Sequence, residues 1–95
     1  MAFKETVGKV LDGIGSGMMF DSHYVINQLI KNDSDEYLMF CANYAGTEKP
    51  TLRSHQEIGK VIKQFNDKTV SKQEHLSLSE NIHGNSSTCA LRLKL

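Results

Sequence analysis

The chain offers four histidines, two cysteines and many serines as residues whose chemistry could be put to use. His23 and His55 each follow residues suited to cap a helix, and the positive end of a helix disfavours a protonated ring, so both read as neutral polar residues near the surface. His75 and His83 have no Cys-x-x-Cys or His-x-x-x-His partner to complete a tetrahedral site, so no metal is expected. Cys41 and Cys89 are too few for a disulfide framework and sit within apolar patterns; they read as reduced core residues, which fits a cytoplasmic location. The glycines of Gly13-Ile14-Gly15-Ser16-Gly17 follow a helical pattern, whereas phosphate-binding loops follow a strand and open a helix, and no Gly-Lys-Ser/Thr occurs. No serine sits in a nucleophile elbow and no carboxylates pair as general acid and base. These absences argue against an enzyme, a cofactor or a small-molecule substrate.

Charge is more informative than catalysis. The chain carries 11 basic and 11 acidic residues, but they are divided along its length. Residues 1–48 hold three basic side chains against seven acidic ones, a net of −4, while residues 49–95 hold eight against four, a net of +4. Such a dipolar pattern directs the C-terminal half towards any anionic partner.

The elements that would carry these charges follow from apolar spacing. Phe3, Val7, Val10, Leu11 and Ile14 form one stripe of a helix over 2–14, which the following glycines stop. A short extended piece, Met18-Met19-Phe20, leads to Asp21 or Ser22 as the cap of a helix over 22–31 with Val25, Ile26, Leu29 and Ile30 inward. Asp33 with Glu36 has the spacing of a capping box and restarts a helix over 34–45 bearing Tyr37, Leu38, Phe40, Cys41 and Tyr44. After the loop Gly46-Thr47-Glu48-Lys49-Pro50, Thr51 or Ser54 opens a helix over 52–66 with Leu52, Ile58, Val61, Ile62 and Phe65 inward and Arg53, Gln56, Lys60 and Lys63 outward. From Thr69 the period becomes two. Leu76 and Leu78 alternate with serines, and Cys89, Leu91, Leu93 and Leu95 alternate with Ala90, Arg92 and Lys94, predicting strands near 70–78 and 88–95. Residues 79–87 are rich in turn formers and predict a long exposed loop. The expected class is α+β: a helical N-terminal two-thirds of three to four helices, then a two-stranded antiparallel hairpin, all one domain over 1–95. A signal peptide and a bilayer-spanning apolar run are both lacking, so no membrane partner is expected.

This order of helices, short strand, cationic helix and hairpin resembles the winged helix-turn-helix family, with the helix after Ser34 as an addition. The strings Phe20-Asp21-Ser22-His23, Ser54-His55 ahead of Ile58-Gly59, and Ser79-Glu80-Asn81-Ile82-His83-Gly84-Asn85 are also similar to small uncharacterised bacterial proteins, some carried on mobile gene cassettes. The winged-helix resemblance implies duplex DNA as partner. Arg53 or Gln56 would reach base edges from the helix N-terminus and Lys60 or Lys63 would meet phosphates. The 79–87 loop would be the wing, contributing Asn81, His83 and Asn85, with Lys72, Arg92 and Lys94 adding charge from the strands.

An interaction module is the alternative. Met18, Met19 and Phe20 with Tyr37, Phe40 and Tyr44 could pack on a host protein or a second copy, because methionine adapts to irregular surfaces and aromatics are enriched in interface cores. A homodimer would also relieve the thin core of so short a chain.

Overall fold

The computed structural model describes residues 2–95, which form four helices and a three-stranded antiparallel sheet in the order α1 (Phe3–Asp12), β1 (Met19–Asp21), α2 (Ser22–Asn32), α3 (Ser34–Ala42), α4 (Pro50–Lys63), β2 (Val70–Glu80) and β3 (Ser86–Lys94). The α+β class expected from the sequence is present. The sheet has one strand more than expected, in the order β1-β3-β2.

The extra strand is the short extended piece after α1. Gly17 adopts a positive φ of 85° and donates its N–H to the Lys94 carbonyl, which turns the chain back along the free edge of β3. Met19, Phe20 and Asp21 then pair with Leu93, Arg92 and Leu91. Three residues are too few to display a period, so this pairing had no sequence signature. On the other side β2 pairs with β3 from Val70↔Lys94 to Glu80↔Ser86, with an irregularity between Lys72 and Leu76. The strands therefore reach Glu80 and start again at Ser86, and the exposed loop expected over 79–87 shrinks to 81–85.

Alternation in the hairpin holds, but the expected faces are exchanged. Arg92 and Lys94, expected outside, are 3% and 9% exposed, directly opposite the buried Phe20 and Val70. Leu91 and Leu93 are only half-buried, and Leu78 is 71% exposed. A period of two fixes which residues share a face without fixing which face is covered. The covered face tolerates the cations because each head finds acceptors. Lys94 Nζ donates to the carbonyls of Leu11 (3.0 Å) and Ile14 (2.9 Å), and Arg92 donates through Nε to Asn66 Oδ1 (3.0 Å) and through a terminal nitrogen to Ser22 Oγ (3.3 Å).

The helices cover this face. Val7, Leu11, Val25, Ile26, Leu29, Ile58 and Ile62 form the centre of the core with Ile14, Phe20 and Val70. α2 is capped by Asp21, which accepts the Tyr24 N–H at 2.8 Å. α4 starts two residues earlier than expected because Pro50 takes its first turn, where a missing N–H costs nothing. Asp33 holds the N-cap position of α3 but its side chain makes no cap hydrogen bond; its buried carboxylate is held by Lys9 Nζ at 2.6 Å. α3 contributes no fully buried residue, and Leu38 and Leu52, expected inside, are both more than half exposed. α3 is held through Phe40, whose ring stacks on Phe3 with centroids 4.0 Å apart. Both cysteines are free and half-buried, outside the core expected for them. No helix of the described residues is long and apolar enough to cross a membrane.

Candidate functional site

The first turn of α2, the outer side of α4 and the end of the β2–β3 hairpin enclose an open cleft of about 460 Å³. α4 contributes Leu52, His55, Gln56 and Lys60, and the hairpin contributes Ile82 and His83. The hairpin tip is rigidly built: Asn81 Oδ1 accepts the N–H groups of His83 (2.9 Å) and Asn85 (3.2 Å), and Gly84 turns the chain with φ 78°. Asn81 thus spends its side-chain oxygen on the turn, while His83 and Asn85 are exposed.

The cations expected to contact an anionic ligand divide into two groups. Arg53, Lys60, Lys63 and Lys72 are exposed. Arg53 and Lys60 both engage Glu57, at 3.2 and 2.9 Å, and these contacts hold the Glu57 carboxyl below its usual range, with the Lys60 hydrogen bond as the main cause. Arg92 and Lys94 are withdrawn from any ligand by burial. Burial also pushes the Arg92 guanidinium below its ordinary value, although the neighbouring Cys89 opposes this. The C-terminal half therefore presents six exposed cations (Lys49, Arg53, Lys60, Lys63, Lys68, Lys72) against four acidic residues.

Two of the histidines are tied into polar contacts that sequence reading did not anticipate. His55 Nε2 lies 2.7 Å from the Tyr37 hydroxyl, and burial lowers the His55 pKa, with the charges of His83 and His23 acting in the same direction. Burial raises the Tyr37 pKa to about 12, assisted by Cys41. His23 lies on the wall of the cleft between two serines of the hairpin. Ser77 and Ser79 donate to Asp21 Oδ2 at 2.7 and 2.8 Å. With its own proton so committed, Ser79 Oγ accepts from His23 Nδ1 at 2.7 Å, which leaves Nε2 to accept the Ser87 hydroxyl at 3.3 Å. The chain Ser87–His23–Ser79–Asp21 fixes the ring's tautomer and orientation. Burial opposes ionisation of Asp21, but the hydroxyl of Ser77, the amide of Tyr24 and the hydroxyl of Ser79 outweigh it and hold the carboxyl below the ordinary aspartate value.

Cys89, on β3, brings a thiol to the same place: single ligand atoms of Asp21, His23 and Cys89 all lie within 4.8 Å of one another. In sequence Asp21 and His23 read only as helix-start residues, more than fifty positions from their serine partners. The alternating serines of β2 were the one visible sign that this face of the hairpin is polar. Compared with known proteins, the chain matches no family model, no curated protein and no solved structure.

Proposed function

We propose that this chain is a winged-helix-like module that binds duplex nucleic acid, with α4 as the groove-entering helix and the β2–β3 hairpin as the wing. The observation that carries the reading is that α4 and the hairpin tip line one open cleft, with Gln56 and Lys60 on one wall and His83 on the other. The element order supports it, since the cationic helix immediately precedes the hairpin and β1 closes the far side of β3. At 14 residues α4 is roughly 21 Å long, and a major groove about 12 Å wide admits such a helix. Arg53 and Gln56 belong to its first half and Lys60 and Lys63 to its last turn. Lys72 and the hairpin residues His83 and Asn85 add contacts from the wing. Glu57 does not exclude phosphate, because exposed i,i+3 and i,i+4 pairs contribute only about 0.2–1 kcal/mol and exchange readily.

Affinity should fall in the range of roughly 10⁻⁴–10⁻⁶ M expected of sequence-independent contacts. Fluorescence anisotropy on a labelled duplex at low salt measures it. The pair Lys60→Glu and Lys63→Glu should weaken binding to all sequences and flatten its salt dependence, and the pair Lys4→Glu and Lys31→Glu in the acidic half should leave it unchanged. Absence of binding by the wild type, or equal losses from both pairs, overturns the reading.

A second reading, self-association, is favoured by exposed leucines beside the same cleft. Leu76 and Leu78 stand opposite Ala90 and Thr88, which line it, and Leu52 and Ile82 lie in its walls. Salt-insensitive dimerisation without retention of duplex, abolished by Leu76→Ser with Leu78→Ser, is the result that selects it.

A further inference from the structure

The geometry points to a zinc-type divalent metal site formed by Asp21, His23 and Cys89. The three residues come from β1, the first turn of α2 and β3, all are half-buried, and their ligand atoms converge to within 4.8 Å. Around a tetrahedral ion with bonds of about 2.0–2.3 Å, ligand atoms stand roughly 3.3–3.8 Å apart.

Three features make this more than proximity. The first is the donor set: one thiolate, one imidazole and one carboxylate is a borderline-soft combination suited to zinc and poorly suited to magnesium or calcium, which take oxygen ligands. Second, the ligands are already oriented by surrounding groups, as ligating residues usually are. Asp21 is held on both oxygens, by Ser77 and Ser79 on Oδ2 and by the Tyr24 amide on Oδ1. The tautomer set by Ser79 leaves His23 Nε2 with the lone pair for the metal, in place of the Ser87 hydroxyl, while Nδ1 keeps donating to Ser79. Third, His23 and Cys89 lie on the wall of the cleft, so a fourth position is open to water or to a ligand in the cleft. His55 is close enough to feel the charge of His23 but is committed to the Tyr37 hydroxyl, and it stays outside the set.

Binding replaces the Cys89 S–H proton by the metal, releases that proton to solvent and joins β1 and α2 to the hairpin. Affinity should therefore rise with pH, and the bound form should melt at a higher temperature. The assignment does not rest on the nucleic-acid reading, since Asp21, Cys89 and His23 are none of the residues that reading uses.

The test is titration of the reduced 95-residue chain with Co²⁺, followed by displacement with Zn²⁺ in competition with a chromophoric chelator. The expected result is one ion per chain, a near-ultraviolet sulfur-to-cobalt charge-transfer band and loss of the band on adding zinc. Cys89→Ala should abolish the band, and Asp21→Asn and His23→Gln should each weaken zinc binding by about tenfold or more, since even supporting residues are worth that much. Asparagine still caps α2 at position 21, so the Asp21 variant keeps its fold. The double variant His55→Gln with His83→Gln should bind as the wild type does. No charge-transfer band in the wild type, or full zinc affinity in both Cys89→Ala and His23→Gln, overturns the assignment whatever the stability of the variants.

Discussion

The ammonium of Lys94 lies 2.9 Å from the carbonyl oxygen of Ile14, joining the last strand to the turn that ends the first helix. The same group reaches the Leu11 carbonyl at 3.0 Å, and the Lys94 backbone exchanges hydrogen bonds with Gly17 and Met18. A cation at a helix C-terminus satisfies carbonyls that have no partner within the helix and complements its dipole. The C-terminal strand is thus tied to the end of α1 and the turn after it by backbone hydrogen bonds and by a side chain that composition alone would assign to solvent.

Lys94→Met keeps the apolar stem but takes the ammonium from both carbonyls, leaving Leu11 with the Ile14 N–H and Ile14 without this donor. The expected cost is about 1–3 kcal/mol, the usual penalty for buried polar groups left unpaired. Leu95→Ala, at an exposed position one residue further on, should change stability by about 0.5 kcal/mol or less. Urea titration of both variants checks the contrast, and equal effects would show that the Lys94 contacts contribute nothing.

Ile58 and Leu91 look alike in sequence, each at the centre of an apolar stripe, but the structure separates them. Ile58 is fully buried between the helices, so Ile58→Ala should cost about 2–5 kcal/mol through lost transfer energy and a residual cavity. Leu91 is half-buried on the other face of the sheet, so Leu91→Ala should cost about 1 kcal/mol, nearer to a surface effect. Denaturant midpoints with unchanged slope decide it; a larger loss for Leu91 than for Ile58 would mean that the covered face is the other one.

This contrast marks the limit of what the sequence discloses. The helices and the two long strands were legible because their apolar residues recur at fixed spacing, and their boundaries moved by only a few residues. The orientation of β3 was not, because Leu91 and Leu93 alternate with Arg92 and Lys94, and only the tertiary acceptors Asn66, Ser22, Leu11 and Ile14 make the cationic side the inner one. Leu38 and Leu52 were misassigned for the same reason: each fits a helical stripe, but no neighbouring element covers it. The outer cations of α4 were legible as a solvated face. The Asp21, His23 and Cys89 cluster was not, since β1 is too short to announce its pairing and that pairing is what brings Asp21 to the hairpin.

The Asp21 carboxyl should make the protein sensitive to acid. Its pKa in the fold is below the unfolded value of about 3.9, so its stabilising contribution is complete above that value and is lost as pH falls through the folded pKa. Asp21→Asn, which retains the cap and loses the charge, should be less stable than the wild type at neutral pH, and the two should converge as the acid limb is crossed. Thermal melts from neutral pH down to about pH 2.5, below the unfolded value, measure this. A constant difference between the two proteins across that range would remove Asp21 as the cause.

The Tyr37–His55 contact should shape stability on both sides of neutrality, with opposite signs. His55 is half-buried and its folded pKa lies below the unfolded value of about 6.5, chiefly because burial disfavours the charged ring. Above that value both states are neutral and pH has no effect through this group. As pH falls below it, the unfolded chain takes up a proton that the folded chain refuses, so stability declines until the folded pKa is reached and then levels off. Tyr37 acts at the other end. Its pKa is raised to about 12, mainly by burial, so stability is intact below the unfolded value of about 10 and declines between the two as the unfolded phenol ionises first. His55→Gln removes the acid-side decline near pH 6 while keeping a hydrogen-bonding side chain beside Tyr37, and Tyr37→Phe removes the alkaline decline. Urea unfolding followed across about pH 5–11 in the wild type and both variants gives the two limbs separately. If His55→Gln leaves the decline below about pH 6.5 unchanged, His55 is not the group that senses it.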